Sequence, residues 1–526
     1  MKPNGNITIV YFLSAIAVFI LSLAYLNYIN LSTAQAMTRA KEVGIRKVLG
    51  AVKPQLSRQF LLESLVMNVA AIVIAVIVVV FAQPYFVQFT GANSSVFEQK
   101  TSMLMILLVL LTGAFLSGLY PAFVLSGFNP VSSLKGKLIN SRSGISLRKA
   151  LVVFQYTIST VLAIGTFVIY FQVDFMLNRD LGMNIDQTLI LKAPSAIAED
   201  SVGANKFVVF RERVLANPSI RSFTASTEIP GKEIGQLREG QVRRIGADIK
   251  DANNYYVMGI DSAFFRAFEM QMLSGRDFTG DVNFYENVVL NRAAARLLGF
   301  QHPEDAVGMM INCFGVNRVI GVVENYNQQS LKSSYSPIIF YLRNPAMLYS
   351  YYAVKLNTAD ISSSLTSIEQ DWKESFAGNP FEYFFLDDFF NEQYRGDKQF
   401  RSMFTTFSVL ALLIASLGLF GLSSHTLMLQ SKEIGIRKVL GAKVIQLFGI
   451  LSFEFLKLVL LSNIIALPLS YWIAQRWLSN FAFRIENNWW LYVLPCVLTV
   501  FLSLLVVSYQ VIKSSLSNPI KVIREN

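Results

Sequence analysis

The sequence predicts an α-helical integral membrane protein, with about seven transmembrane helices and a mixed α/β extracytoplasmic domain. Hydrophobic residues make up 53% of the chain and charged residues only 15%. Seven apolar runs reach the length of about 20 residues with which a helix crosses a bilayer. A less apolar stretch, residues 172–403, separates the fourth run from the fifth. Apolar runs of this length argue against a soluble protein with buried core helices.

The predicted spans follow the apolar runs along the chain. In order, they lie at residues 7–29, 61–82, 102–125, 150–171, 404–425, 450–473 and 489–511. The second is the clearest, because Asn68 is its one strong polar interruption. A signal peptide over residues 1–36 is a competing interpretation. It fits poorly, because the apolar run is too long and basic residues follow the run instead of preceding it.

Lysine and arginine orient these spans. They collect in residues 30–60, 126–149, 426–449 and the C-terminal tail, and the alternation of spans puts all four segments on one side. The positive-inside rule makes that side cytoplasmic. We therefore expect a multi-pass membrane protein with residues 172–403 on the extracytoplasmic side. The net charge of +11 fits attraction to anionic lipid, and no nucleic-acid partner is expected.

Residues 172–403 have the pattern of a mixed α/β domain. A helix is predicted over residues 207–215, and strands over residues 288–290 and 319–323. A second helix is predicted near 292–298, where Gly299 would stop it.

Cysteine and histidine are too sparse for a metal site or a disulfide framework. Cys313 falls in the extracytoplasmic insert and Cys496 in the last span, so they are not expected to pair. His302 and His425 are isolated from each other in sequence. We predict no metal site.

One charged segment occurs twice. Residues 41–51, KEVGIRKVLGA, return as residues 432–442, KEIGIRKVLGA, with the one difference Val43/Ile434 and an offset of 391 residues. We refer to both copies as the repeated segment. Each copy lies between two predicted spans on the cytoplasmic side, so the membrane part of the chain is internally duplicated.

The repeated segment is predicted to form a short charged helix that docks onto a cytoplasmic partner and transmits force. Glu42 and Arg46 lie four residues apart, as do Glu433 and Arg437, which suits helical ion pairs. Gly50 and Gly441 would end the two helices, and Gly44 and Gly435 lie inside them. A glycine inside a helix destabilises it by about 1 kcal/mol relative to alanine, and a close contact with another part of the protein would justify that cost. The candidate docking residues are Lys41, Glu42, Gly44, Arg46, Lys47, Gly50, Lys432, Glu433, Gly435, Arg437, Lys438 and Gly441. The alternative is an interfacial helix whose basic residues contact lipid headgroups.

Two carboxylates fall just inside predicted spans, Glu63 and Glu454, again 391 residues apart. Charge within a membrane is costly and is often functional. Both lie near the cytoplasmic end, and Lys457 is three residues from Glu454. This pattern favours carboxylates anchored at the interface with a local partner over a role in transport or proton transfer.

The duplication predicts the domain organisation. Residues 1–140 would form the last three spans of a first repeat unit. The second unit comprises a first span at 141–171, the extracytoplasmic domain at 172–403 and three further spans at 404–526. The first copy lacks counterparts of that first span and domain, so we expect a chain truncated at its N-terminus.

Enzyme signatures do not appear in the sequence. No G-x-x-x-x-G-K-[ST] motif occurs, and Gly136-Lys137 is followed by Leu138. No G-x-S-x-G or H-E-x-x-H motif occurs either. The chain is therefore not expected to be an enzyme or to bind a cofactor directly.

The chain resembles the MacB/FtsX-type permeases of ABC transporters, in the long form with two fused permease units. Residues 39–47 and their second copy resemble the cytoplasmic coupling segment of that family, and residues 147–156 resemble the start of a unit's first span. Residues 275–278, 289–291 and 320–323 resemble its extracytoplasmic core domain.

The resemblance implies four spans per unit, a separate ATPase dimer that holds ATP and Mg²⁺, and mechanotransmission. It also implies a location in the bacterial plasma (inner) membrane, with residues 172–403 in the periplasm. In mechanotransmission, ATP-driven closure beneath the membrane moves the external domain and extrudes a hydrophobic or amphipathic cargo. A periplasmic adaptor or a second permease copy are possible further partners. The main alternative is an FtsX-like signalling subunit that activates a cell-wall hydrolase, which the duplication disfavours. A membrane enzyme or receptor is the third.

Overall fold

The structure, a computed structural model, describes residues 7–38, 40–90, 100–126, 142–196, 201–281, 284–357 and 361–516. It divides into two compact units. Unit 1 comprises Met1–Val173, Asp397–Trp477 and Glu486–Asn526, and unit 2 comprises Asp174–Gly396 and Leu478–Ile485. Residues 478–485, which the sequence placed in a loop between two spans, thus belong to unit 2.

Fifteen α-helices are found in the described residues. In chain order they are α1 (Ile7–Thr38), α2 (Ala40–Val48), α3 (Lys53–Thr90), α4 (Lys100–Ser126), α5 (Arg142–Asn178), α6 (Ser201–Leu215), α7 (Phe264–Ala267), α8 (Arg292–Leu297), α9 (Pro303–Ala306), α10 (Ile361–Ser375), α11 (Leu386–Glu392), α12 (Arg395–Leu429), α13 (Ser431–Val439), α14 (Val444–Leu478) and α15 (Trp490–Leu516).

The long helices of unit 1 fit the predicted spans. Six of the described helices, α1, α3, α5, α12, α14 and α15, are long and apolar enough to cross a membrane. α4 covers the remaining predicted span, but its described apolar stretch, Met103–Leu119, is shorter. Large side chains such as Val66, Ile74 and Phe81 are exposed along α3. An apolar surface of this extent is suited to lipid and not to water.

The two halves of unit 1 repeat the same order of helices. α2 and α13 begin and end at positions related by the offset of 391, and the first residues of α3 and α14 are related by the same offset.

Exposed aromatic residues, Tyr170, Trp472 and Trp489, lie at the ends of membrane helices. Such residues favour the interface between membrane and water.

The core of the second half lies among four helices of unit 1. Tyr156 of α5 packs with Leu419 of α12, Phe455 of α14 and Val507 of α15. The first half has a smaller cluster, formed by Val43, Leu56, Phe60 and Ala122. In both halves the charged helix contributes one buried residue to the cluster, Val43 or Ile434.

Unit 2 contains an 11-stranded sheet. Its strands are β1 (Thr188–Lys192), β2 (Ile220–Ser226), β3 (Leu237–Arg244), β4 (Asn253–Ile260), β5 (Met272–Gly275), β6 (Asn287–Asn291), β7 (Met310–Asn312), β8 (Val316–Val323), β9 (Ile338–Leu342), β10 (Tyr351–Leu356) and β11 (Tyr383–Phe385). The strand order is β11-β1-β10-β2-β4-β3-β7-β8-β6-β9, with β5 beside β8. β9 also pairs in parallel with β4. The strands β4, β3, β7, β8, β6 and β9 therefore close into a ring.

The sheet carries two separate cores. Around β1, β2 and β10, aromatic residues from α6 and α10 pack together, among them Phe210 and Trp372 with their ring centroids 5.6 Å apart. Around the strand ring, Val288, Val322 and Ile339 pack with Ala294 of α8. The predicted helices and strands of the insert are confirmed, including the stop at Gly299, whose φ is +89°.

Candidate coupling site

The repeated segment forms one short helix in each half, α2 and α13, as the sequence predicts. We call these the two charged helices. Each is followed after a few residues by a long membrane helix, α3 or α14. Their short length means that packing against the membrane helices, more than intrinsic helix propensity, must hold them.

Both charged helices end in the same Schellman motif. Gly50 has a φ of +100° and Gly441 a φ of +91°. The N–H of Ala51 donates to the Arg46 carbonyl at 3.0 Å, and that of Ala442 to the Arg437 carbonyl at 2.9 Å. These bonds satisfy helix-end carbonyls and turn the chain sharply. The predicted glycine stops are confirmed.

The next turn is capped identically in both halves. Gln55 Oε1 accepts from the N–H of Val52 at 3.3 Å, and Gln446 Oε1 accepts from the N–H of Lys443 at 3.1 Å. These glutamines start the membrane helices by bonding back to a backbone N–H that has no partner within the helix. The turn between charged helix and membrane helix is therefore set by matching side chains.

The predicted ion pairs are present. Arg46 Nη2 lies 2.6 Å from Glu42 Oε1, and Arg437 Nη2 lies 2.6 Å from Glu433 Oε1. All four side chains are substantially exposed. Pairs of this kind stabilise an isolated helix by about 0.3–0.5 kcal/mol. Their main effect is thus to fix where the charges lie.

Each charged helix has one face turned inward. Val43 and Ile434 are 1% and 5% exposed, and Gly44 and Gly435 are also buried. The burial of the internal glycines fits the expected close contact, because a larger side chain would push the helix away from the membrane helices.

The C-terminal end of each charged helix carries exposed apolar side chains. Leu49 is 81% exposed and Leu440 is 80% exposed, and each is accompanied by an exposed valine and isoleucine. We call these two sets the apolar tips: Ile45, Val48 and Leu49 at the C-terminal end of α2, and Ile436, Val439 and Leu440 at the C-terminal end of α13. Sequence reasoning singled out the charged residues and missed the tips, although their leucines recur unchanged in both copies.

Basic side chains border the tips. Partial burial and the neighbouring ammonium of Lys53 lower the pKa of Lys47. Lys438 occupies the equivalent position on α13. Lys41 and Lys432 lie within the helix bounds, but their side chains are outside the part of the chain that the structure describes.

Glu63 is connected to the first charged helix. Arg46 Nη1 donates to Gln59 Oε1 at 3.0 Å, and Gln59 Nε2 donates to Glu63 Oε1 at 3.1 Å. Gln59 therefore links α2 to the carboxylate on α3, a role that the sequence did not signal. Residue 450, its counterpart, is isoleucine, so the second half cannot form this link.

Glu454 has a different partner from the one that the sequence suggested. Lys149 Nζ of α5 lies 2.8 Å from Glu454 Oε1. Lys457, the expected local partner, instead has its Nζ 4.4 Å from the centroid of the Phe453 ring. The expectation for Lys457 was wrong, because three residues of spacing does not determine where a long side chain turns.

The described residues contain no group of three or more His, Cys, Asp or Glu side chains that could hold a metal ion. Cys313 and Cys496 are both free and buried.

An apolar cavity of about 200 Å³ lies inside unit 1. It opens between α1, which contributes Phe19, and α14, which contributes Leu469; both side chains are exposed. Gly165 and Phe404 form part of its inner wall. Cavities that bind small molecules are lined in this way by apolar side chains with few polar groups.

Two segments of the chain match one protein family. Residues 14–130 and 405–519 match the FtsX-like permease C-terminal family, and each segment contains one charged helix. The macrolide export ATP-binding/permease protein MacB of Escherichia coli is 20% identical over 294 residues, which cover 52% of this chain and 44% of that protein. MacB 2 of E. coli O1:K1 / APEC matches to the same extent. The chain thus spans less than half the length of these relatives.

Solved structures of domains from related transport proteins also match. The periplasmic region of MacB from Actinobacillus actinomycetemcomitans has a TM-score of 0.28 and 14% identity, covering 41% of this chain and 96% of that one. A domain of a putative permease from Porphyromonas gingivalis gives a TM-score of 0.27, 15% identity and coverages of 38% and 88%. The extracellular domain of the ABC-type transporter YknZ gives 0.26, 15%, 37% and 97%.

Two family segments, the repeated helix order and the long apolar helices lead to the same result. Each half of the chain contains an FtsX-like permease segment, and the chain is similar to the MacB-type permeases.

Proposed function

We propose that this chain is the permease subunit of an ABC transporter, and that its two charged helices dock onto a dimer of separate ATPase subunits. The observation that carries the proposal is the pair of matching apolar tips. Two equivalent tips on one chain suit a partner with two equivalent sockets, such as a symmetric dimer.

The energetics favour a protein partner for the tips. Transfer of a leucine side chain from water into an apolar socket of a protein is favourable by about 1.5–3 kcal/mol of free energy. Two leucines with their neighbouring valines and isoleucines therefore supply enough apolar surface for a stable contact. The fixed ion pairs on α2 and α13 would add orientation more than affinity.

ATP binding is assigned to the partner. The chain has no P-loop motif of its own, whereas the E. coli relative is named an ATP-binding/permease protein. ATP and Mg²⁺ would therefore be held by the partner, and closure of the dimer would move the charged helices and, through the membrane helices, the extracytoplasmic domain.

The cargo would be hydrophobic or amphipathic. The apolar cavity that opens beside Phe19 and Leu469 supports this class, because it offers few polar partners to a hydrophilic solute. The basic cytoplasmic segments support an inner-membrane location with unit 2 in the periplasm.

A pull-down of the tagged chain from its own membranes, followed by mass spectrometry, tests the docking. The test variant carries Leu49→Asp and Leu440→Asp. The matched control carries Ile249→Asp, a largely exposed apolar residue of unit 2. We expect a P-loop ATPase with the parent and the control and its loss with the test variant.

A second variant tests the charges separately. Glu433→Arg combined with Arg437→Glu retains an ion pair at the same spacing but reverses its direction. Loss of the ATPase from the pull-down would indicate that the partner contacts these charged side chains. Recovery of the ATPase with the double leucine variant would instead overturn the docking proposal and favour helices that only contact lipid headgroups.

A further inference from the structure

A groove opens in unit 1 beside the first charged helix. It has a volume of about 410 Å³ and lies between the first turns of α3, which directly follows α2, and the last turns of α4. We call it the basic groove, and its lining residues are Lys53, Pro54, Ser57, Arg58, Leu61, Leu119, Ala122 and Phe123. The groove thus combines two basic side chains with a largely apolar wall.

The basic residues of the groove are not neutralised by a carboxylate. Lys53 and Arg58 are both exposed, and neither forms an ion pair with another of the described residues. The carboxylates of Glu42 and Glu63 are instead bonded to other side chains of α2 and α3. The groove therefore has a local positive charge, and an anion is the complementary ligand.

The turn between α2 and α3 adds to this positive charge. Partial burial and the nearby Lys53 ammonium lower the pKa of Lys47, so two like charges lie close enough at this turn to repel each other. The N-terminal end of α3 contributes the positive end of a helix dipole. An anion bound at the turn would relieve the repulsion between the two ammonium groups.

The apolar wall of the groove continues into a surface suited to lipid. Phe123 of α4 is 60% exposed, and Leu61 of α3 is partly exposed. Leu65 and Val69 follow Leu61 at intervals of four residues, which places them on the same face of the helix, and both are accessible. A ligand that fills the whole groove therefore has a negatively charged head and an apolar chain that extends along α3.

The second half has no basic residues at the equivalent positions. At the offset of 391, Val444 corresponds to Lys53 and Gly449 to Arg58. Nothing lies within 4 Å of a Cβ on Gly449, although α5 packs against α14 in that half. A membrane helix packed on α3 in the way that α5 packs on α14 would therefore leave Arg58 accessible.

We infer that the basic groove binds one anionic phospholipid from the leaflet on the side of the charged helices. Its phosphate would lie between Lys53 and Arg58, and one acyl chain would lie along Leu61 and Phe123. Basic pockets between membrane helices bind anionic lipid headgroups in this manner. The lipid would hold the turn that joins α2 to α3, and the second half would not share this dependence on lipid.

Native mass spectrometry of the full chain, purified in detergent and depleted of lipid, tests the site. Phosphatidylglycerol is titrated, and the fraction of chain with one bound lipid gives the dissociation constant of the tightest site. The test variant is Lys53→Gln with Arg58→Gln. The matched control, Lys443→Gln with Lys513→Gln, removes two exposed basic residues at the corresponding ends of α14 and α15.

The tightest site should become about 30-fold weaker in the test variant, because each basic residue at a membrane surface contributes about fivefold. The control should bind like the parent. The charge-conserving variant Lys53→Arg with Arg58→Lys should also bind like the parent, which separates a loss of charge from a loss of local structure. Equal affinities for the parent and the test variant, or an equal loss in the control, would overturn the inference.

Two further ligands distinguish the source of the anion. Phosphatidylcholine, which has no net charge, should bind the parent no more tightly than it binds the test variant. Inorganic phosphate in excess should not displace phosphatidylglycerol, because it cannot cover the apolar wall. Displacement by phosphate, or binding of phosphatidylcholine as tight as that of phosphatidylglycerol, would contradict an anionic lipid site. No ATPase takes part in these measurements, so their outcome is independent of the pull-down.

Discussion

Protonation of Asp261 should make unit 2 more stable in mild acid than at neutral pH. The side chain follows β4 and is 5% exposed. Its Oδ1 accepts from the Thr224 hydroxyl and, at 3.1 Å, from the N–H of Ala263, while Oδ2 has no partner. Burial raises the pKa of Asp261 from 3.8 to about 6, although the Thr224 hydroxyl and the charge of Arg211 oppose the shift.

The magnitude follows from linkage. A rise of about 2 pKa units corresponds to about 3 kcal/mol, at about 1.4 kcal/mol per unit. Because the folded-state pKa lies above that of the unfolded chain, the contribution to stability is complete below pH 3.8 and is lost as the pH rises through about 6. Asp261→Asn cannot ionise and should lack this dependence.

Hydrogen exchange measured by mass spectrometry on the full chain in detergent provides the assay. The peptide covering β4 is followed from pH 4.5 to pH 7.5, at about half-unit steps across the expected range, with intrinsic exchange rates corrected for pH. The parent should lose protection as the pH rises and the Asp261→Asn variant should not. An equal slope in both chains, or greater protection of the parent at neutral pH, would refute the reasoning.

Three further outcomes are expected. Gly441→Val should destabilise the turn after α13 by about 1–2 kcal/mol, because its positive φ disfavours a β-branched residue, and Gly449→Val should not do so to this extent; thermal midpoints of the two variants in detergent measure the difference. Lys149→Met should destabilise the membrane unit more than the double variant Lys149→Met with Glu454→Gln does. The single change leaves a partly buried carboxylate unpaired. A lower thermal midpoint for the double variant than for the single variant would contradict this. Phe210→Ala should lower the free energy of unfolding of unit 2 by about 3–5 kcal/mol. Hydrogen exchange measures this, and the strands around Phe210 should lose protection uniformly.

Sequence reasoning succeeded where the interactions were local. The charged helices, their ion pairs and their glycine stops depend on residues three to five positions apart, and such spacing is visible in the sequence. The same applies to the strand at residues 288–290 and the helix that follows it. The duplication was equally accessible, because it is a comparison of the sequence with itself.

It did less well where one side chain had to be chosen among several. The carboxylate of Glu454 had a lysine three residues away, yet its partner is Lys149, 305 residues earlier. Gln59 gave no signal, because a glutamine on a membrane helix near the interface is unexceptional. The apolar tips were overlooked because leucine and valine in a hydrophobic chain are usually buried or in lipid, and exposure is a property of the folded surface.

The sequence by itself determined the membrane class, the positions of the long helices, the mixed α/β insert and the paired charged helices. It could do so because apolar length and local spacing act within one segment of chain. Tertiary structure alone decided the pairing of β4 with β9, the ion pair of Lys149 with Glu454 and the groove that Arg58 and Phe123 share. These contacts join segments far apart in the chain, and their partners are selected by shape and charge once the helices and strands have packed.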